Sequence, residues 1–216
     1  MSAIEAVHLT RRYGRRRGIE DVSFSVDEGD IFGFLGPNGA GKTTTIRVLM
    51  GYLRPTDGRV TIFGRDCWFD APEVHREVAF VGSEPAWLGE FAAAEQLDVL
   101  ARLRGIERGA WRPLAERLEL DPTVPIRKLS RGNRQKVAVI QAFMGNERLL
   151  LMDEPTTGLD PQSRHQTWEM VEASTGARSP ARCTVVIAGE FSVRKTSAGD
   201  FAPSCTIWEP IEESLP

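Results

Sequence analysis

Cysteines, long apolar runs and a surplus of one charge are all scarce in this sequence. The 216 residues include three cysteines, Cys67, Cys183 and Cys205, which are too few and too scattered for a disulfide framework or a metal site. We therefore expect reduced thiols, as in a cytosolic protein. No apolar run approaches the ~18 residues needed to span a bilayer, so any membrane role should depend on a partner.

The charge balance gives no reason to expect nucleic acid as the main partner, because the formal net charge is −3. One basic cluster is a local exception and consists of Arg11, Arg12, Arg15, Arg16 and Arg17. Such a cluster is either a solvated turn between strands or a patch that faces phosphate or lipid. With 41% hydrophobic and 26% charged residues, the chain suits a sizeable core, and we expect one domain with an inserted subdomain.

Short apolar runs predict a series of β-strands. Residues 22–26 alternate apolar and polar side chains, which indicates a half-buried antiparallel strand, whereas residues 149–152 are apolar throughout, as in a parallel strand buried on both faces. The two patterns together predict a mixed sheet, with a parallel core and antiparallel strands near the N-terminus. The predicted strands are Ile4–Thr10, Val22–Val26, Ile31–Leu35, Val60–Phe63, Val78–Val81, Leu149–Met152 and Thr184–Ile187.

Helical patterns fall between these strands. Leu97, Leu100 and Leu103 are three residues apart and should share one helix face. Between about residues 85 and 145 helical patterns dominate and strand patterns are almost absent, which predicts a helical subdomain set into an α/β core. The predicted helices are Thr43–Met50, Ala92–Arg104, Trp111–Leu120, Ser130–Met144 and Gln162–Ser174.

A glycine-rich segment joins the predicted strand at 31–35 to the predicted helix at 43–50. It fits the pattern G-x-x-x-x-G-K-[ST], in which backbone N–H groups and the positive end of the helix dipole converge on an anion. A glycine-rich turn that binds nothing is the alternative, and the strand-before, helix-after context disfavours it. The segment consists of Gly36, Pro37, Asn38, Gly39, Ala40, Gly41, Lys42, Thr43 and Thr44.

These residue types predict a site for ATP and Mg²⁺. Lys42 would place its charge on the β- and γ-phosphates, and the Thr43 hydroxyl would ligate Mg²⁺. Thr44 would add a further hydrogen bond to phosphate. The expected fold class is therefore α/β, with a P-loop NTPase core that carries an inserted helical subdomain.

Two adjacent carboxylates follow the apolar strand at 149–152. Because ligands of open α/β sheets bind at the carboxyl ends of the strands, Asp153 should hold Mg²⁺, through water, and Glu154 should polarise the attacking water. We therefore predict Glu154 and Lys42 as catalytic residues. The nearby Asp160 could reach the same site. A surface acidic turn is the alternative.

These motifs together resemble those of ABC ATPases. Residues 36–44 resemble the Walker A motif, 149–154 the Walker B motif and 158–160 the D-loop. Residues 129–133 look like the ABC signature, with Arg131 and Asn133 where the common form has Gly and Gln. The order and spacing match from about residue 4 to 173, and the wording LSRGNRQKVA is most similar to ATP-binding subunits of bacterial drug- and lipid-exporter-type systems.

The resemblance also implies contacts to base and to a second chain. Tyr13 falls where the family has an aromatic residue that stacks on adenine. Ser130 is a good N-cap for the helix that follows, and Ser130 with Gly132 makes a second anion site, which the family places against the γ-phosphate held by another protomer. We therefore expect a homodimer or heterodimer. A plain helix cap is the alternative interpretation of Ser130.

The resemblance further implies domain limits, a partner and a location. Residues 1–84 and 146–190 would form the nucleotide-binding core, 85–145 the helical signature subdomain and 191–216 a divergent tail. The partner would be an integral-membrane permease that docks near residues 83–90. The chain would be cytoplasmic and peripheral on the inner face of the cell membrane.

The sequence departs from the family pattern at three places. The family has Gln after the strand that matches 78–81, whereas this chain has Ser83, which is shorter, or Glu84, which like charge near the triphosphate disfavours. Glu190 is nearest to the family's switch His, and a carboxylate there would repel the γ-phosphate. From Gly176 onward the pattern is lost, and 205–216 is typical of an unstructured or foreign tail.

Three functions are consistent with these observations. The first is an ATPase subunit that energises transport through a membrane permease. The second, suggested by Ser83 and Glu190, is a cassette that binds MgATP with impaired hydrolysis. The third, a soluble ABC ATPase acting on ribosomes or DNA, usually needs two cassettes or long insertions, and this chain has neither.

Overall fold

The computed structural model describes residues 2–14, 16–34, 36–37, 39–83, 87, 89–175, 184–188 and 205–208, with the backbone alone at 16, 17 and 205–208. Its strands are β1 Ser2–Tyr13, β2 Arg16–Asp27, β3 Ile31–Phe34, β4 Asp57–Ile62, β5 Arg65–Asp66, β6 Val78–Val81, β7 Leu149–Asp153, β8 Thr184–Ala188 and β9 Cys205–Trp208. Its helices are α1 Lys42–Leu49, α2 Ala71–Val74, α3 Ala93–Leu103, α4 Arg112–Arg117, a 3₁₀ turn Ile126–Lys128, α5 Arg131–Phe143 and α6 Pro161–Thr175.

The strands form two sheets. The N-terminal sheet has the order β2-β1-β4-β5 and is antiparallel, whereas the second sheet has the order β6-β7-β8-β3-β9 and is parallel. All five residues of β7 are buried, as an apolar strand in a covered parallel sheet should be. The predicted α/β class is confirmed, and both antiparallel and parallel strands are present, but they form two sheets rather than the predicted single mixed sheet.

The register of the parallel sheet brings several strand ends to one edge. Asp153 at the end of β7 and Phe34 at the end of β3 both pair with Ala188, the last residue of β8. Residues that follow these strands therefore lie at the same carboxyl edge, where ligands of open α/β sheets bind. This edge carries both the glycine-rich loop and the acidic pair.

The buried apolar side chains form two clusters, one on each side of the parallel sheet. One cluster joins α3, α4 and α5 to the sheet and includes Leu97, Trp111 and Ile140. The other lies among the N-terminal sheet, α1 and β3, where Phe24 and Phe32 stack with ring centroids 5.3 Å apart. The glycine-rich loop therefore connects β3 and α1, two elements whose side chains are packed in this cluster.

Helices α3, α4 and α5 fall within the segment predicted as a helical subdomain, whose exact limits stay a prediction. The expectation that Leu97, Leu100 and Leu103 share one helix face is wrong for Leu103, which is 77% exposed. Positions six apart in a helix differ by about 120° in direction, so only the first two face the core.

The sequence patterns did not predict two short strands, β5 and β9. The expectation of an unstructured tail is wrong for Cys205–Trp208, which pair in parallel with β3. Over the residues that the structure describes, no helix has both the length and the apolar character needed to cross a membrane.

Candidate functional site

The glycine-rich loop packs against the start of β2. Gly41 has a φ of 93°, and a Cβ there would lie 2.4 Å from Cγ2 of Ile19 and 3.0 Å from the carbonyl oxygen of Gly18. Both the left-handed backbone and this close approach require glycine. Within the loop, the Ala40 N–H donates to the Pro37 carbonyl at 3.1 Å, which closes a turn directly ahead of α1.

Lys42 begins α1 and folds back over the loop. Its Nζ donates to the carbonyl oxygens of Gly36 at 2.5 Å and of Pro37 at 3.0 Å. These bonds hold the ammonium group at the mouth of the loop, where a phosphate could replace the carbonyl oxygens as acceptor. Thr44 is half-buried in the same helical turn.

Two hydroxyl groups converge on the Asp153 carboxylate. Thr43 Oγ1 donates to Oδ1 at 3.2 Å, and Ser83 Oγ donates to Oδ2 at 3.3 Å. Burial raises the pKa of Asp153, an effect that the hydrogen bonds from Thr43 and Ser83 oppose, while the neighbouring Glu154 raises the pKa further. A buried carboxylate of this kind is stabilised by a nearby cation.

This group of oxygens fits Mg²⁺, which binds one or two carboxylates and completes its octahedron with water and substrate phosphates. In the described part of the chain, no group of three or more His, Cys, Asp or Glu side chains could hold a metal ion. The remaining ligands would therefore have to come from water and from phosphate, as at nucleotide sites rather than dedicated metal cages.

Glu154 has an unusual backbone conformation. Its φ is 51°, in the left-handed region that costs a non-glycine residue about 1–3 kcal/mol. Its N–H donates to the Ala188 carbonyl at 2.8 Å, and its carboxylate accepts from Thr157 Oγ1 at 3.2 Å. These two bonds fix the turn after β7 and hold the carboxylate in the cleft described next.

A cleft of about 340 Å³ unites the loop with the acidic turn. It brings Lys42 and Glu154 together, and it also includes Arg164 and Trp168 of α6, which the sequence analysis missed. Their four-residue spacing, which puts both on one helix face just after the D-loop segment, is the signal that could have found them. The lining residues are Gly36, Pro37, Lys42, Glu154, Pro155, Thr156, Thr157, Arg164, Trp168, Ile187 and Ala188.

Tyr13 lies at the end of β1, with 41% of its surface exposed. The Arg11 guanidinium lies over its ring, 5.2 Å from the centroid. A Cβ at Gly18 would lie 2.9 Å from Cε2 of Tyr13, and Gly18 is also the residue whose carbonyl oxygen lies close to Gly41. The ring therefore packs near the part of β2 that approaches the glycine-rich loop, and it is partly exposed.

The signature residues do not line this cleft. Ser130 Oγ accepts from the Asn133 N–H at 3.1 Å and caps α5, as the sequence predicted. A Cβ at Gly132 would lie 2.6 Å from the Gly158 carbonyl oxygen, so the N-terminal end of α5 packs on the D-loop segment. Within the chain, the signature therefore packs on the D-loop segment and is not part of the described lining that includes Lys42.

Asp160 also has a different place from the one expected. Its carboxylate accepts from Ser163 N–H at 2.9 Å and from Ser163 Oγ at 2.6 Å, and Lys136 Nζ lies 3.5 Å away. The hydrogen bonds from Ser163 hold the pKa of Asp160 well below its usual range. Within the chain this carboxylate caps α6 and does not reach the cleft. Asn38, Glu84 and Glu190 lie outside the described residues.

A glycine loop that leads into a helix, opposite a buried carboxylate at the carboxyl edge of a parallel sheet, defines the P-loop nucleotide-binding class. The family model described as ABC transporter matches residues 19–157, and the chain belongs to this family. The predicted resemblance to ATP-binding subunits of ABC transporters is thereby confirmed.

Named relatives agree with this assignment. Nod factor export ATP-binding protein I of Ralstonia nicotianae is 38% identical over 171 residues, which cover 76% of this chain and 53% of that protein. Bacitracin transport ATP-binding protein BcrA of Bacillus licheniformis is 36% identical over 161 residues, which cover 73% and 53%. The chain thus spans about half the length of these curated relatives.

Solved structures show the same fold. The ATP-binding subunit of an ABC transporter superimposes with a TM-score of 0.77 at 28% identity, over 86% of this chain and 78% of that one. A dimeric ATP-binding cassette in a post-hydrolysis state, bound to ADP and Pi, superimposes with a TM-score of 0.74 at 21% identity, over 87% and 88%. The second match supports the fold alone.

Proposed function

We propose that this chain binds ATP with Mg²⁺ and hydrolyses it to energise transport through a partner membrane permease. The observation that carries the proposal is the 3.2 Å contact between the Thr43 hydroxyl and the Asp153 carboxylate. It joins the glycine-rich loop to the acidic end of β7, so that phosphate and a cation could be held at the same point.

The proposal assigns roles to four side chains, those of Lys42, Thr43, Asp153 and Glu154. Lys42 would leave the loop carbonyls and donate to the β- and γ-phosphates, while backbone N–H groups of the loop orient the triphosphate. Glu154 would accept a hydrogen bond from the attacking water and align it with the terminal phosphorus. Mg²⁺, held by Thr43 and by Asp153 through water, would supply positive charge that offsets the charge on the phosphates.

A second copy or a related cassette would complete the site. Ser130 and Gly132 lie at the N-terminal end of α5, a position that could bind an anion. Neither residue is in the described lining of the chain's own cleft, which favours their use by a neighbouring chain. We therefore propose an active dimer that docks, on the cytoplasmic side, on an integral-membrane permease.

A second candidate function is MgATP binding with impaired hydrolysis. Ser83 donates directly to the Asp153 carboxylate, and its short side chain extends less far towards bound phosphate than a glutamine would. Glu190, by sequence, offers a carboxylate where the family has a histidine that can donate to the γ-phosphate. A chain of this kind would bind MgATP and hydrolyse it slowly or not at all.

Phosphate release separates the two functions. The purified chain is incubated with saturating ATP and Mg²⁺ over a range of chain concentrations, beside Glu154→Gln and the matched control Glu116→Gln, whose exposed side chain lies on α4. We expect Glu154→Gln to lower the rate at least about a hundredfold, since general base contributions are about 10²–10⁴-fold. The control should match the parent chain.

A rate per chain that rises with chain concentration would support the proposed dimer. Tight ATP binding without magnesium-dependent release in the parent chain would overturn the ATPase proposal and favour the binding cassette. Equal rates in the parent and in Glu154→Gln would remove Glu154 from the proposed mechanism.

A further inference from the structure

Arg164 is the second cationic side chain in the described lining of the cleft, after Lys42. The rest of the described lining is neutral apart from the Glu154 carboxylate. Arg164 lies in the first turn of α6, and its N–H donates to the Asp160 carbonyl at 2.9 Å. Its backbone is therefore fixed by the same aspartate that caps the helix.

The packing of α6 sets the direction of this side chain. Ser163 and Thr167 are buried, with 3% and 0% of their surfaces exposed, and Arg164 and Trp168 lie beside them on the helix. Because residues four apart point to the same side, Arg164 and Trp168 face the cleft together. The helix thus presents one guanidinium group and one indole to the cleft that Lys42 and Glu154 also line.

The Arg164 guanidinium has no partner among the residues that the structure describes. Most paired arginines in this part of the chain bind a carboxylate, as Arg117 binds Glu169 and Arg127 binds Glu90. The Glu154 carboxylate in the same cleft instead accepts from the Thr157 hydroxyl. As far as the described residues are concerned, Arg164 is therefore available to an anion that enters the cleft.

Strand β8 also lines the cleft and, within the described residues, contributes no charged side chain. Strand β8 supplies Ile187 and Ala188 to the lining, and these side chains are apolar. Lys42 belongs to the loop and Arg164 to α6, and both line the same cleft. A triphosphate held by Lys42 would therefore share the cleft with a second cation.

We propose that Arg164 contacts the terminal phosphate of ATP held in its own chain and thereby makes the cleft prefer ATP over ADP. This inference rests on the proposed function. A guanidinium group is well suited to this task because its fork of N–H groups matches two phosphate oxygens. Arg164 then acts as a binding residue that raises the affinity for a nucleotide with a γ-phosphate.

Equilibrium binding tests the proposal without relying on turnover. Affinities for ADP and for the non-hydrolysable analogue adenylyl imidodiphosphate, each with Mg²⁺, are measured for the parent chain, Arg164→Ala and Arg164→Gln. The matched control is Arg102→Ala, an exposed arginine on α3 that does not line the cleft. Circular dichroism establishes that each variant is folded, and Arg164→Gln keeps the side-chain stem if the alanine variant is not.

We expect both Arg164 variants to weaken analogue binding about ten- to one-hundredfold, as for loss of a hydrogen bond to a charged group, while ADP binding stays within about twofold. Arg102→Ala should leave both affinities unchanged. An unchanged ratio of the two affinities in folded Arg164 variants, with a parent chain that binds the analogue, would overturn the role of Arg164 and leave the proposed function intact. A parent chain that binds neither nucleotide would overturn the proposed function itself.

Discussion

At the scale of the residue, the geometry of the cleft depends on a few positions with demanding surroundings. Glu154 keeps a left-handed backbone although it has a full side chain, and Asp153 keeps a buried carboxylate with two hydroxyl partners. Strain and buried charge of this kind are costly and concentrate at functional sites. These two positions therefore mark the turn after β7 as a candidate functional site.

Tyr13 offers a test at the same scale. Replacing it with alanine should weaken ATP binding about fivefold to 150-fold, since stacking of a base on an aromatic ring contributes about 1–3 kcal/mol. The measurement is a fluorescence titration with ATP and Mg²⁺. The chain has two tyrosines, and Tyr52, also exposed at 55%, supplies the matched control Tyr52→Ala.

The control should bind ATP as the parent chain does. Equal affinities in the parent and in Tyr13→Ala would show that the base stacks elsewhere and would leave the phosphate contacts untouched.

The sequence predicted the residues of this site better than their contacts. Lys42, Thr43, Asp153 and Glu154 follow from motif and spacing, because the loop and strand that carry them have strong local signals. Ser83 was predicted only as a shorter substitute for glutamine, and its hydrogen bond to Asp153 depends on how β6 pairs with β7. Contacts across strands require the register, which local patterns leave open.

At the scale of the element, the loop between α3 and α4 is anchored by one carboxylate. Asp98 accepts from Trp111 Nε1 at 2.7 Å, from Gly109 N–H at 3.2 Å and from Arg108 Nε at 3.0 Å. Burial alone would raise the pKa of Asp98, but the hydrogen bonds from Trp111, Arg108 and Gly109 lower it overall. The indole is 5% exposed, so water cannot readily replace this acceptor.

Asp98→Ala should therefore lower the free energy of unfolding by about 1–3 kcal/mol, the cost of leaving a buried donor unpaired. Urea unfolding followed by circular dichroism measures the change, with Glu116→Ala on α4 as the control. Because the pKa of Asp98 is lower in the folded state than its usual value, the ionised carboxylate stabilises the folded state at neutral pH. The difference in the free energy of unfolding between the parent and Asp98→Ala should therefore become smaller as the pH falls below about 4.

If the difference in the free energy of unfolding stays the same at low pH, the Asp98 charge does not contribute to the stability of this loop. An unfolding midpoint for Asp98→Ala equal to that of the parent at pH 7 would show that water satisfies the indole N–H after all.

Helix faces and short strands mark the limit of prediction for elements. Leu97 packs in the core while Leu103 points to solvent, because a three-residue spacing drifts around a helix axis. The two-residue strand β5 exists through its pairing with β4, and β9 through its pairing with β3. Elements of this kind depend on a neighbour and have no periodic signal of their own.

At the scale of the whole molecule, the parallel sheet gathers segments distant in sequence into one site. The predicted α/β class and the antiparallel N-terminal strands could be inferred from alternation and from apolar runs. The order β6-β7-β8-β3-β9 could not, since it depends on which crossovers pack best rather than on any one segment. That order places the end of β8 between the ends of β7 and β3, and the cleft follows from it.

Binding of MgATP by the loop tests the central claim of this account most directly. The affinity of the purified chain for ATP is measured at equilibrium with Mg²⁺, then with the metal removed by chelation, beside Lys42→Ala and the control Lys128→Ala, an exposed lysine of the 3₁₀ turn. We predict saturable binding that Lys42→Ala weakens about ten- to one-hundredfold, that chelation also weakens, and that the control preserves. A folded chain with no saturable affinity for any purine nucleotide in the presence of Mg²⁺ would contradict the claim.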